Sequence, residues 1–190
     1  MNTASFVQKL NQKRLNKDEI LTLVELVLDK PELMHPLITT SFEQDALKTS
    51  FNASWVLDHT LRNEKTLLLP YLNLYIEGLA TVQTESCLRP FAHIVQLTCI
   101  AYYKEKHFSF RQVLQKKHLE TLTTLCFDWL IGEHKVATKV FAMTSLYYLG
   151  LDFLWIHPQL QGILETEIHT GTAGYQSRAK KTLDLLQKQG

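Results

Sequence analysis

Eight histidines and three cysteines are the residues of this chain best suited to holding a metal or attacking a substrate. His93 stands six residues from both Cys87 and Cys99. A zinc site needs several such ligands converging on one ion, and six residues along a helix do not return side chains to one face. The spacing therefore predicts packing or surface roles, not a metal centre. Asp58 directly precedes His59, but adjacent helical residues point apart, so this pair is not an acid–base dyad. His107, His118, His134, His157 and His169 fall at expected loops or helix ends, where an imidazole satisfies carbonyls or stays solvated. The sequence holds no HExxH, no Cys-x-x-Cys pair and no nucleophile elbow. Gly171-Thr172-Ala173-Gly174 is too short to cradle phosphate and lacks a following Gly-Lys-Ser/Thr. Glu165 and Glu167 are two helical positions apart, which disfavours a shared acid–base site. No catalytic, cofactor-binding or metal-binding residue is singled out.

Two surfaces are better candidates. Lys135 and Lys139 lie one turn apart, Arg178 and Lys181 slightly less, and with Arg89 they could form a discontinuous basic strip. The plainer reading is solvated lysines and an arginine whose stem packs while its head meets helix-end carbonyls. Phe153 and Trp155, within Phe153-Leu154-Trp155-Ile156, form a second candidate, an exposed protein-contact patch. Its alternative is packing between successive hairpins. Trp55, Trp129, Tyr147 and Tyr148 are more simply core residues, although the last two point in different directions and cannot both be fully buried.

The elements that must position these residues are helices. The pattern predicts a first helix over Thr3–Arg14 and a second capped by Asp18 and carrying Ile20, Leu21, Leu23, Val24, Val27 and Leu28. A short third helix begins at Pro31, whose missing amide costs little in a first turn. Further helices are expected from about Asp45 to Leu61, from Lys65 to Leu79 with Pro70 trimming or kinking it, and from Thr84 or Ser86 onward. Tyr102–Lys117 is irregular, with a short helix after Phe108-Ser109-Phe110. Leu119, Leu122, Leu125, Cys126, Trp129 and Leu130 mark a strong amphipathic helix over 117–131 ended by Gly132. Its partner spans Val136–Leu149, ended by Gly150. A last hairpin begins at Pro158, turns at Gly171 and Gly174, and finishes with a helix over Tyr175–Lys188. No run alternates at period two strongly enough to require a strand.

A phrase recurs along these helices. Ala53, Ala92, Ala142 and Ala179 each precede apolar or small residues at helical spacing: Val56, Leu57 and Thr60; Val95 and Cys99; Ser145, Leu146 and Leu149; Thr182, Leu183 and Leu186. The copies are 39, 50 and 37 residues apart, the range of stacked helical hairpins. The expected fold is all-α, a HEAT/ARM-like α-α superhelix of antiparallel hairpins forming one domain over 1–190; the competing reading is an irregular globular bundle of comparable helix content. The composition is that of an ordinary globular chain, 45% hydrophobic and 21% charged, with a net charge of +1. A nonspecific nucleic-acid binder usually carries a stronger positive field. Val140–Ile156 falls short of a membrane span and is broken by Gly150 and Asp152. The N-terminus lacks an export-signal pattern, and three widely spaced cysteines, all within helical patterns, suggest reduced, buried thiols in a cytoplasmic protein.

The stretch from Cys126-Phe127-Asp128-Trp129-Leu130 through Val136-Ala137-Thr138-Lys139-Val140-Phe141-Ala142-Met143 to Leu149 resembles small bacterial HEAT-like proteins of unassigned function, typical of the Bacteroidetes. The resemblance extends to Trp55-Val56-Leu57-Asp58-His59, Pro158 and Ser177-Arg178, about two thirds of the chain. It implies a helical-repeat fold and carries over no catalytic residue. Members of that group are sometimes labelled adenylosuccinate lyase. The glycine-, methionine-, lysine- and asparagine-rich serine loop of that enzyme family is not found here, and 190 residues are too few for its three-part subunit. The expected function is a noncatalytic interaction scaffold with a protein partner and no cofactor. Nucleic-acid binding, including DNA-repair-like recognition, is the alternative.

Overall fold

A computed structural model of the chain describes residues 2–43, 47–82 and 84–188, the side chain of Leu47 excepted. Among these residues there are eleven α-helices and no strand. The chain divides into two compact units, residues 1–94 and 95–190.

The first unit contains α1 (Thr3–Asn11), α2 (Lys17–Asp29), α3 (Met34–Ser41), α4 (Leu47–Asn63), α5 (Leu72–Leu79) and α6 (Glu85–Cys99) as far as Ile94. Helix α1 stops three residues before the sequence-predicted Arg14. The Asn52 side chain supplies the reason. Its amide nitrogen donates to the Leu10 and Lys13 carbonyls, at 2.8 and 2.7 Å, and its Oδ1 accepts from the Leu15 backbone at 3.0 Å. A buried residue forty positions away thus satisfies the groups a further helical turn would have used. Asn16, not Asp18, caps α2, through a reciprocal pair with Glu19. The expected helix start at Asp45 lies outside the described residues. Pro70 sits in a 3₁₀ segment, Lys65–Tyr71, so α5 begins only at Leu72.

Helix α4 packs against α1, α2 and α3 and is the axis of this unit. Ala53, Val56 and Leu57 are fully buried on it. A second aromatic core forms where Phe42 stacks on Phe91 at 4.7 Å and Tyr75 donates its hydroxyl to the Phe91 carbonyl at 3.0 Å. Gly78 is required there, because a Cβ at that position would lie 2.4 Å from the Phe42 ring.

The second unit contains the end of α6, a π-helical turn at Ile100–Lys104, α7 (Phe108–Val113), α8 (Lys116–Ile131), α9 (Val136–Leu149), α10 (Ile156–Glu167) and α11 (Ala173–Gln187). Lys106, with φ of 52°, reverses the chain after the π-turn so that the His107 amide reaches the Ala101 carbonyl at 2.8 Å. Helix α9 packs on α8, α10 and α11. Ala142, Met143, Leu146 and Leu149 fill the centre, and Ala179 and Thr182 of α11 are buried as well. Helix α10 begins at Ile156, two residues before the expected Pro158, which takes a first-turn position where no amide is needed. Thr172 caps α11 by accepting from the Tyr175 amide. Among the described residues no helix is long and apolar enough to cross a membrane.

Candidate functional site

Helix α8 carries an apolar buried face and a mixed, partly exposed one. Leu119, Leu122, Cys126, Trp129 and Leu130 are buried. A second line, Glu120, Thr124, Phe127, Asp128 and Ile131, recurs at three and four residues and looks into a groove of about 670 Å³. Gln159 and Ile163 of α10 form the opposite side, and Phe153 and Trp155 close one part of it. Trp155 stacks on Phe127, with centroids 5.6 Å apart and planes inclined by 16°. It is nevertheless 56% exposed, and Ile131 is 59% exposed. The segment before α10 explains the arrangement: Ile156 is fully buried and anchors the chain, while Leu154 and Trp155 project outward. A shallower cavity sharing Ile131, Gln159 and Ile163 continues past Gly162 to Thr166 and Glu167. Both cavities are of a size and lining that suit an apolar ligand surface with few orienting polar groups.

The basic residues are distributed differently. Lys135 is exposed at the N-cap of α9, and Lys139 follows one turn later beside His134, Glu167 and Tyr175. Arg178 and Lys181 lie on α11, half-buried and exposed respectively, and the Arg178 charge acts on the Tyr148 hydroxyl. Arg89 belongs to the first unit, where its guanidinium sits 5.3 Å from the centre of the Trp55 ring.

That contact is part of a strip on α4. Phe51, Trp55 and His59 follow one another at four-residue spacing, with neighbouring rings 6.1 and 6.2 Å apart. Arg14 covers Phe51 at 4.4 Å. The His59 pKa is lowered, first by burial and then by the Arg62 charge, with Lys17 and His93 adding to the effect. Beneath the strip, Asp58 is 1% exposed. Its Oδ1 lies 2.6 Å from His93 Nδ1, and its Oδ2 pairs with the Arg62 guanidinium one turn on. A carboxylate only accepts, so Nδ1 carries the proton and the bond ties α6 to α4. This pairing was hidden in the sequence: the acid is 35 residues from its histidine, and only the Asp58–Arg62 spacing hinted at it.

The cysteines are three buried free thiols. Burial pushes Cys99 up to about 12, Cys126 well above its usual range, and Cys87 upward, so all three remain protonated and poor nucleophiles at neutral pH. Among the described residues no three His, Cys, Asp or Glu side chains are grouped to hold a metal ion. His118 has a defined job at the start of α8: its Nδ1 accepts the Gln115 amide at 3.1 Å, and burial lowers its pKa.

Comparison of the chain with protein-family models, curated proteins and solved structures finds no match.

Proposed function

We propose that the protein is a noncatalytic helical-repeat scaffold, stacked in the HEAT manner, that docks another protein in the groove between α8 and α10. One observation carries this reading: Trp155, stacked on Phe127 along a groove of about 670 Å³, leaves more than half its surface in water. A large aromatic held in a fixed orientation and incompletely covered is the kind of group that anchors protein interfaces. The packing of α9 on both α8 and α11 supports the repeat reading, since each hairpin then buries one face on the next. A photo-crosslinking amino acid at Gln159, compared with one at the exposed Phe108, tests the site in cells. The expected result is a discrete adduct from Gln159 that disappears in Trp155→Ala. The same adducts from both positions, or none from Gln159, would overturn it.

The strip on α4 favours a second reading, nucleic-acid binding. Arginines resting on aromatic rings, with a histidine beyond them, offer both charge and stacking surfaces. Lys135, Lys139, Arg178 and Lys181 are the corresponding candidates for phosphate contacts within the second unit. An anisotropy titration at low salt should then show binding to single strands that weakens as salt rises and falls in Arg14→Ala and Arg89→Ala. No change with DNA or RNA rejects it.

A further inference from the structure

We infer that the occupant of the α8–α10 groove is an amphipathic helix with basic residues beside its apolar stripe; this rests on the docking reading above. The groove has an apolar floor formed by Phe127, Ile131, Phe153, Trp155 and Ile163. Every ionic side chain lining it and its continuation is acidic: Glu120, Asp128 and Glu167. Lys116 approaches Glu120 at 3.7 Å, but both are well exposed, so that pair is a weak competitor for a partner's charge. Glu167 is occupied by the Tyr175 hydroxyl at 2.6 Å. Glu120 and Asp128 are therefore the groups left to read a cation. They stand two turns apart along one face of α8, flanking Phe127.

The form of the partner follows from the walls. Helices α8 and α10 both pack on α9 and do not pack extensively on each other, leaving a trough lined by two helices. The lined part of α8, from Glu120 to Ile131, is about 16 Å long, or three helical turns. A third helix of about that length would complete the layer, with apolar anchors at three- and four-residue spacing over Trp155 and Ile131 and Lys or Arg on its flanks. An acidic polymer such as nucleic acid would meet only like charge here.

Gly162 gives a clean way to close the trough. It lines the continuation of the groove, and a Cβ built there meets no atom within 4 Å. Gly162→Leu thus fills space outside the fold, and Gly162→Ala controls for changes in the helix itself.

The test uses the full chain and three labelled synthetic peptides with one leucine stripe at helical spacing, flanked by Lys, Gln or Glu. The Lys peptide should bind about tenfold more tightly than the Gln peptide, and the Glu peptide more weakly still. Raising the salt should shrink these differences, and Glu120→Gln with Asp128→Asn should bring the Lys peptide to the Gln level while leaving the Gln peptide unchanged. Gly162→Leu and Trp155→Ala should weaken all binding by about tenfold or more, with Gly162→Ala near wild type. Equal binding of the Lys and Gln peptides overturns the charge inference and leaves the docking surface standing. No peptide binding despite a Gln159 adduct in cells also overturns only the partner's chemistry, whereas loss of both removes the docking reading. Peptide binding that survives Gly162→Leu lies elsewhere and overturns the assignment. So does self-association of the protein that Gly162→Leu abolishes, which would give the groove to a second copy.

Discussion

In the first unit the decisive carboxylate is inside. Asp58 is buried and paired with His93 and Arg62, while the exposed Arg14 and Arg89 lie over Phe51 and Trp55. In the second unit the carboxylates of Glu120 and Asp128 stand exposed at the rim of an apolar trough, and the large aromatic Trp155 is the incompletely covered group. The bulk charges run the opposite way. Residues 1–94 hold 9 Lys/Arg against 11 Asp/Glu, and residues 95–190 hold 11 against 8. A unit with excess acid thus presents a cationic strip, and a unit with excess base presents an acidic groove. Net charge governs long-range steering, but recognition at contact depends on which charges remain unpaired at the surface.

The sharpest way to break this contrast is Asp58→Ala. Removing the acid leaves Arg62 and His93 without their buried partner and should cost about 3 kcal/mol, seen as a lowered thermal midpoint. Binding in the α8–α10 groove should be unchanged once the protein is folded; loss of it would show that the two regions are not separable. Asn52→Ala should cost about 2 kcal/mol, because three backbone groups at the end of α1 lose their partners. Hydrogen exchange in α1 would report it directly, and unchanged protection there would contradict the capping role. In the second unit Ala142→Phe should cost about 1–3 kcal/mol by overpacking a position that is 1% exposed. Wild-type stability of that variant would mean the α9 stripe is looser than its burial implies.

Trp155→Ala should do the reverse of Asp58→Ala, altering stability by within about 0.5 kcal/mol while removing partner binding. A large loss of stability would make Trp155 a packing residue after all. The pH response has opposite signs for the buried thiols and for the part-buried imidazoles. Burial of Cys99 raises its pKa from 9.0 to about 12, and Cys126 is shifted in the same direction. Their contribution is fully present below pH 9 and declines as pH rises from 9 toward 12, because the unfolded chain loses those protons first. His59 acts in the opposite sense. Its pKa is lowered below 6.5, so stability in the first unit should decline as pH falls through 6.5 toward the folded value. Denaturation midpoints across pH should lose part of the acid limb in His59→Gln, with His118 supplying a further part, and retain the alkaline limb. An acid limb unchanged in that variant assigns it to other groups.

Much of the helical plan was legible because helix formation is local. The stripe Leu119, Leu122, Leu125, Cys126, Trp129 and Leu130 marked α8, with Leu125 alone of them only half-buried, and Val136–Leu149 matched α9 at both ends. The four alanines of the recurring phrase are all buried, as expected of residues placed where helices come close. Two of the misplaced boundaries have nonlocal causes. Asn52 ends α1 from the middle of α4, and Ile156 starts α10 early by anchoring its first turn in the core. The groove was half visible: Phe153 and Trp155 stood out, but Phe127 and Ile131 lay outside the main stripe of α8 and acquired a role only when α10 was placed opposite them.

The amino-acid order alone settles that the chain is helical and where most helices lie, because periodicity and capping are encoded within a few residues. It also determined that ordinary metal and nucleophile motifs are missing from its spacing. The packing of distant helices sets that Asp58 meets His93 and that the second face of α8 becomes one side of an acidic, apolar trough. Those outcomes depend on which helices become neighbours, and a side chain's partner across 35 residues leaves no periodic trace in the chain.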